Sequence, residues 1–285
     1  MKLANHGGRA TVIVSEGRGV DVWSASNGRL ASDPARLYEV WDELLDWYSG
    51  AELGEGDPIV RTSLGPPSPA PRQIFAVGLN YRDHVAESGF DVPSHLPPVF
   101  TKFVSSLSGP YTTVELPPGG TTDWEVELVA VMARECSHVS EAAAWDYVAG
   151  LTVGQDLSER VSQLRPPAPQ FALGKSFTGF SPTGPWLVTV DEVESPDDLA
   201  LGCSVGGEIV QSGRTGSMIF SIPKLISALS KTVTLYPGDL IFTGTPEGVG
   251  MGRKPPRFLQ PGDTLISWVD GIGQLEQSFI EAIGR

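Results

Sequence analysis

Thr122-Asp-Trp-Glu-Val-Glu-Leu-Val-Ala-Val-Met132 alternates acidic and apolar residues before turning continuously apolar. In an extended chain successive side chains point to opposite faces, so Asp123, Glu125 and Glu127 share one face while Trp124, Val126, Leu128, Ala130 and Met132 share the other. The apolar face is expected to be buried. Carboxylates spaced this closely repel one another and lose hydration when covered, so they stay ionised in a buried place chiefly when a cation joins them. Taken alone, the run fits a solvated face of an edge strand equally well.

Composition narrows what surrounds this strand. With 285 residues the chain can bury a substantial core, and 33 Gly and 24 Pro favour a turn-rich β architecture over a helical bundle. Its 20 Lys and Arg against 34 Asp and Glu give a formal charge of -14, which repels nucleic-acid phosphates and anionic membranes. Neither is an expected partner. Cys136 and Cys203 lack a zinc-binding spacing and read as buried thiols. The N-terminal residues have no apolar signal-peptide core and no stretch approaches a membrane span, so a cytoplasmic location is expected.

Residues Arg9 to Trp23 read as strand, turn and strand, followed by a helix with Asp33 as cap and Pro34 in its first turn. Leu37, Val40, Trp41, Leu44, Leu45 and Tyr48 would form its apolar face. The Gly- and Pro-rich stretch from Gly50 to Arg72 suggests a boundary, giving a small N-terminal α+β domain over 1–70 and a β-rich domain over 71–285. In the second part Ser140 and Ser221 are placed to cap short helices. Tyr236-Pro-Gly-Asp239 and Gln260-Pro-Gly-Asp263 read as turns leading into apolar strands.

Two further constellations bear on chemistry. Asp156 ends the strand-like run Val148-Ala-Gly-Leu-Thr-Val-Gly-Gln-Asp156, where it serves either a metal site or a turn. With Glu125 and Glu127 it would make a hard oxygen shell suited to Mg²⁺, Mn²⁺ or Ca²⁺ rather than zinc. If Asp83 to Ser88 is helical, His84 and Glu87 lie one turn apart, close enough for the carboxylate to orient the imidazole as a base. A surface His and Glu on a short helix is the alternative.

Six ordered segments then resemble one family. Gly78-Leu-Asn-Tyr-Arg-Asp-His84 with Glu87, Asp123-Trp-Glu-Val-Glu-Leu128, Gly154-Gln-Asp156, Gly174-Lys-Ser-Phe-Thr-Gly-Phe-Ser-Pro182, Gly216-Ser-Met-Ile-Phe220 and Gly244-Thr-Pro-Glu-Gly-Val-Gly250 occur as in the fumarylacetoacetate hydrolase family. The similarity runs from about residue 74 to 283 and leans to the branch of acylpyruvate hydrolases, oxaloacetate decarboxylases and 2-hydroxyhepta-2,4-diene-1,7-dioate isomerases. It implies an α+β, β-rich fold, a mixed β-sandwich roll with short flanking helices that binds one divalent cation, and a homodimer. By the same resemblance Glu125, Glu127 and Asp156 are the metal ligands and His84 with Glu87 the base pair. Lys175 and Gln163 match further active-site positions, and Thr245 matches a residue that touches the substrate carboxylate. Lys102 and Arg82 are also candidates for substrate contact, although Lys102 precedes Phe103 where many relatives have proline.

The chemistry expected from these residue types is that of a 2-oxo acid held on a divalent ion, which stabilises the enolate formed by proton removal or carbon-carbon cleavage. The leading expectation is a 2-hydroxyhepta-2,4-diene-1,7-dioate isomerase-like enzyme acting on diacids. Acylpyruvate or fumarylacetoacetate-type hydrolysis, oxaloacetate decarboxylation and a catalytically silent metal or keto-acid binding module are the alternatives.

Overall fold

The computed structural model describes residues 1–88 and 95–282, and two sheets organise it. The path of a twelve-stranded sheet begins Asp57–Pro58, Arg18–Asp21, Arg9–Ser15, Lys2–His6 and Ser181–Val188. It continues through Val148–Gln155, Val126–Met132, Leu240–Phe242, Ile74–Val77 and Val99–Thr101. Leu64–Gly65 and Leu107–Ser108 pair off this path. A five-stranded sheet follows the order Glu208–Arg214, Ala200–Val205, Thr264–Val269, Gly273–Glu281 and Tyr111–Leu116. With few and short helices, the fold is β-rich α+β.

Val126–Met132 lies inside the large sheet, antiparallel to both Val148–Gln155 and Leu240–Phe242, and every one of its residues is buried. The edge-strand alternative is thereby excluded. Alternation holds along this strand, but both faces are covered. Val126, Leu128, Ala130 and Met132 enter a core shared with Leu201, Cys203, Leu265 and Phe279 of the five-stranded sheet. Val129 and Val131 enter a second core with Val12, Leu37, Trp41 and Leu187. Glu127, on that second side, is therefore an acid among buried groups.

The strand is shorter than its alternation implies. Thr122–Asp123 forms a separate two-residue strand with Ser158–Glu159, and Trp124 and Glu125 lie between the two without strand pairing. Side-chain amides take over the backbone there: Gln155 Oε1 accepts from the Glu125 N–H at 2.9 Å and Gln211 Oε1 accepts from Val126 N–H at 2.9 Å.

The N-terminal residues add the strand Lys2–His6, which pairs with Arg9–Ser15 on one side and Ser181–Val188 on the other. Across the boundary expected near residue 70, the sheet is continuous. Asp33 caps Pro34–Leu37 by accepting from Ala35 N–H, but the long helix expected after it is broken by a 3₁₀ turn over Tyr38–Val40 before resuming at Trp41–Gly50. The second strand of the N-terminal hairpin stops at Asp21, whose carboxylate caps the turn of helix Val22–Ala25.

Both Pro-Gly turns form alike: Gly238 and Gly262 take positive φ of 82° and 92°, and Asp239 and Asp263 accept from the N–H of Tyr236 and Gln260. Glu141–Tyr147 is a 3₁₀ helix and Ile222–Ser230 an α-helix, without side-chain capping by Ser140 or Ser221. Among the described residues no helix is long and apolar enough to cross a membrane.

Candidate active site

The ends of Val126–Met132 and Val148–Gln155 lie side by side, and the Asp156 N–H bonds to the Glu125 carbonyl at 2.9 Å. This register brings Glu125, Glu127 and Asp156 together, with one oxygen of each within 4.8 Å of the others and all three buried. Gly244 closes the third side. Its N–H donates to Glu127 Oε2 at 2.7 Å from a backbone of φ +98°, and an added β-carbon would press on Asn80 Cβ at 2.8 Å.

Two lysines neutralise the cluster. Lys175 Nζ donates to Glu125 Oε2 and Asp156 Oδ2 at 2.7 Å each, and Lys102 pairs with Asp156 Oδ1 and the Lys175 carbonyl. Burial alone would raise the Glu125 carboxyl, but Lys175 and Arg160 outweigh it and hold that group at about 2. Glu127 behaves oppositely: burial, then Asp156 and Glu125, push its carboxyl well above the usual carboxylate range. Burial disfavours the Lys175 ammonium, yet Asp156 and Glu125 keep it above its ordinary value, while Lys102 is lowered by burial with help from Lys175. A crowded all-oxygen cluster whose third acid resists ionisation fits a hard divalent cation, which would favour ionised Glu127 as a proton does neutral Glu127.

The cluster opens through Glu125 and Lys175 onto a cavity of about 270 Å³ that His84, Arg160, Gln163 and Thr245 also line. His84 sits on helix Arg82–Ser88 with Nδ1 3.4 Å from Glu87 Oε2, and Glu87 in turn accepts from Gly248 N–H at 3.1 Å. The pair is thus tied to the Gly-rich 244–250 loop. Gln163 Oε1 accepts from Arg160 at 2.9 Å, which leaves the amide N–H groups without a partner among the described residues. Gly174 lets helix Phe171–Gly174, and hence Lys175, lie directly on Arg160–Gln163. A β-carbon there would come within 2.5 Å of the Gln163 nitrogen.

The remaining candidates are placed in and around this site. Thr245 lines the cavity, but its hydroxyl already donates to the Val126 carbonyl and accepts from Gln211 at 2.8 Å each. Lys102 is buried beneath the carboxylates rather than lining the cavity, because Asp156 and the Lys175 carbonyl hold its ammonium. Arg82 is exposed at the start of its helix and does not line the cavity. Asp123 turns away from the other two acids, since the strand breaks after it. Its carboxylate accepts from Gly250 and Met251 N–H at 2.7 and 2.9 Å and pairs with Arg160.

Arg160 was not singled out from the sequence, although it joins Asp123, Glu125 and Gln163. The only signal was its helical spacing of three from Gln163, and nothing in the sequence pointed to its acidic partners. The apolar wall of Phe100, Leu164, Phe171 and Met251 carried no signal either.

A profile of the fumarylacetoacetate (FAA) hydrolase C-terminal family matches residues 73–280. The chain belongs to the fumarylacetoacetate hydrolase family. It is similar to human mitochondrial oxaloacetate tautomerase FAHD2A, 46% identical over 208 residues that make up 73% of this chain. That match spans 66% of the human protein, slightly less than two thirds of its length. Among solved structures, a Mycobacterium smegmatis protein designated HpcE superposes with a TM-score of 0.95 at 54% identity, covering 99% of this chain and all of that one. Maleylpyruvate hydrolase from Sphingobium sp. SYK-6, solved with manganese(II) and pyruvate, superposes at 0.79 with 27% identity over 99% of this chain and 100% of the other. Two of these similar proteins are thus named as a tautomerase and a hydrolase.

Proposed function

We propose that this enzyme moves a proton at the carbon next to the keto group of a 2-oxo or 2-hydroxydienoic acid, as an isomerase or tautomerase dependent on Mg²⁺ or Mn²⁺. One observation carries the reading: the buried Glu125, Glu127 and Asp156 cluster opens onto the same small cavity as His84 and Lys175. Glu125, Glu127 and Asp156 would hold the divalent ion, which would supply positive charge to stabilise an enolate oxygen of the substrate.

The chain's own residues divide the remaining work. Glu87 accepts from the Nδ1 side of His84, which leaves Nε2 as the base that takes the C3 proton and returns it elsewhere on the framework. Lys175 adds a second positive charge beside the developing oxyanion, in a site that excludes bulk water. Gln163 N–H is available as a donor to a further oxygen. The likeness to an oxaloacetate tautomerase supports proton transfer. A second reading, hydrolysis of an acylpyruvate C–C bond with His84 activating water, draws on the likeness to maleylpyruvate hydrolase.

Deuterium uptake at C3 of pyruvate in D₂O tests the first reading. Exchange dependent on added Mg²⁺ or Mn²⁺ is expected, and equal exchange after chelation would remove the cation from the proposal. Product analysis with 2-hydroxyhepta-2,4-diene-1,7-dioate, oxaloacetate and an acylpyruvate separates isomerase, tautomerase and hydrolase.

A further inference from the structure

The inner end of the cavity is charged, but its outer walls are Leu79, Pro98, Phe100, Leu164, Phe171 and Met251. Phe100 marks the border. Its ring centroid is 5.3 Å from Lys175 Nζ and 5.5 Å from the Phe171 ring, which meets it edge to face. A second carboxylate on the substrate would leave water among these side chains, which is costly unless a cation or several N–H groups receive it.

Among the described residues no free cation lines that end. Arg160 is committed through Nε and one terminal nitrogen to Asp123, and through the other to Glu125 and Gln163. Lys102 lies beneath the carboxylates and Arg82 outside the cavity.

We propose that the outer cavity selects 2-oxo acids whose far end is an uncharged alkyl or aryl group over those ending in a second carboxylate. The inference rests on the 2-oxo acid reading above and departs from the diacid expected by resemblance. Phe100, Phe171 and Leu164 set the preference, Leu164 being 44% exposed and so placed toward the mouth.

The test compares 2-oxoheptanoate with 2-oxoheptanedioate, equal in length and differing only at the far end, by C3 deuterium exchange in the Mn²⁺-loaded enzyme. Pyruvate, which has no tail, serves as the reference. The expected kcat/KM ratio favours the monoacid by about 100-fold, carried mainly by KM. Leu164→Arg and, independently, Phe171→Arg are expected to reduce that ratio at least about tenfold by lowering KM for the diacid. Exchange of pyruvate with equal or better use of the diacid by the parent enzyme would overturn the tail preference and leave the 2-oxo acid reading standing. No exchange with pyruvate or either longer acid would overturn both.

Discussion

On the proposed mechanism His84 and Glu127 have separable duties, and single substitutions should show it. His84→Ala removes the proposed base without touching the three carboxylates, so Mn²⁺ binding is expected to persist while kcat for C3 exchange falls about 10²- to 10⁴-fold. Unchanged kcat would remove His84 from the mechanism. The three acids were legible because strand alternation set Glu125 and Glu127 two apart and a second apolar run ended at Asp156. Asp123 obeyed the same spacing but not the same geometry, because Trp124 and Glu125 leave the strand and turn its carboxylate to Gly250, Met251 and Arg160. Spacing within a strand says nothing of where the strand breaks. That break is fixed by Gln155 and Gln211, remote amides that no local pattern reveals.

The four-residue helix Arg160–Gln163 is too short to be stable by propensity, so its cap matters more than its sequence. Glu159 accepts from Val161 and Ser162 N–H and from the Thr121 hydroxyl. Burial would raise its carboxyl, but these donors outweigh it and hold the group below its ordinary value. An acid depressed on folding stabilises fully above its unfolded value and loses that contribution as pH falls through its folded value.

Glu159→Ala is therefore expected to cost about 1 kcal/mol at neutral pH and to lower kcat/KM by displacing Arg160 and Gln163. Urea unfolding of parent and variant should differ less below the carboxylate range than at neutral pH. A gap that widens on acidification would contradict the cap's ionised role. At this scale the two Pro-Gly-Asp turns were readable because proline, a positive-φ glycine and a capping aspartate act locally. The break at Tyr38–Val40 was not readable, since an unbroken helix would present the same apolar spacing.

For the whole molecule, residues 1–70 contribute a strand between two others and much of a hydrophobic core. Met1, Leu3, Val12, Leu37 and Trp41 pack with Val129, Val131 and Leu187 from behind the active-site strands. The Met1 amine is itself buried, bonded to Thr189 and paired with Glu192 at 3.1 Å. A chain beginning at residue 71 would expose that apolar face and the edge of Ser181–Val188. It is expected to lose cooperative urea unfolding and to aggregate, and a soluble truncated protein with the parent's unfolding midpoint would contradict this. Lys2–His6 escaped notice in the sequence because five residues mixing Lys, Asn and His with Leu and Ala show little alternation. The motifs that resemble the family all lie beyond it, which is why the fold's catalytic part was legible and its support was not.

Glu125, Glu127 and Asp156 are expected to hold one divalent ion between them. Titrating chelator-treated protein with Mn²⁺, followed by electron paramagnetic resonance of the free ion, measures that directly. One ion bound per chain is expected, with affinity weakened about 100-fold or more by Glu127→Gln and unchanged by His84→Ala. No saturable binding by the parent protein, or equal binding by Glu127→Gln, would contradict it.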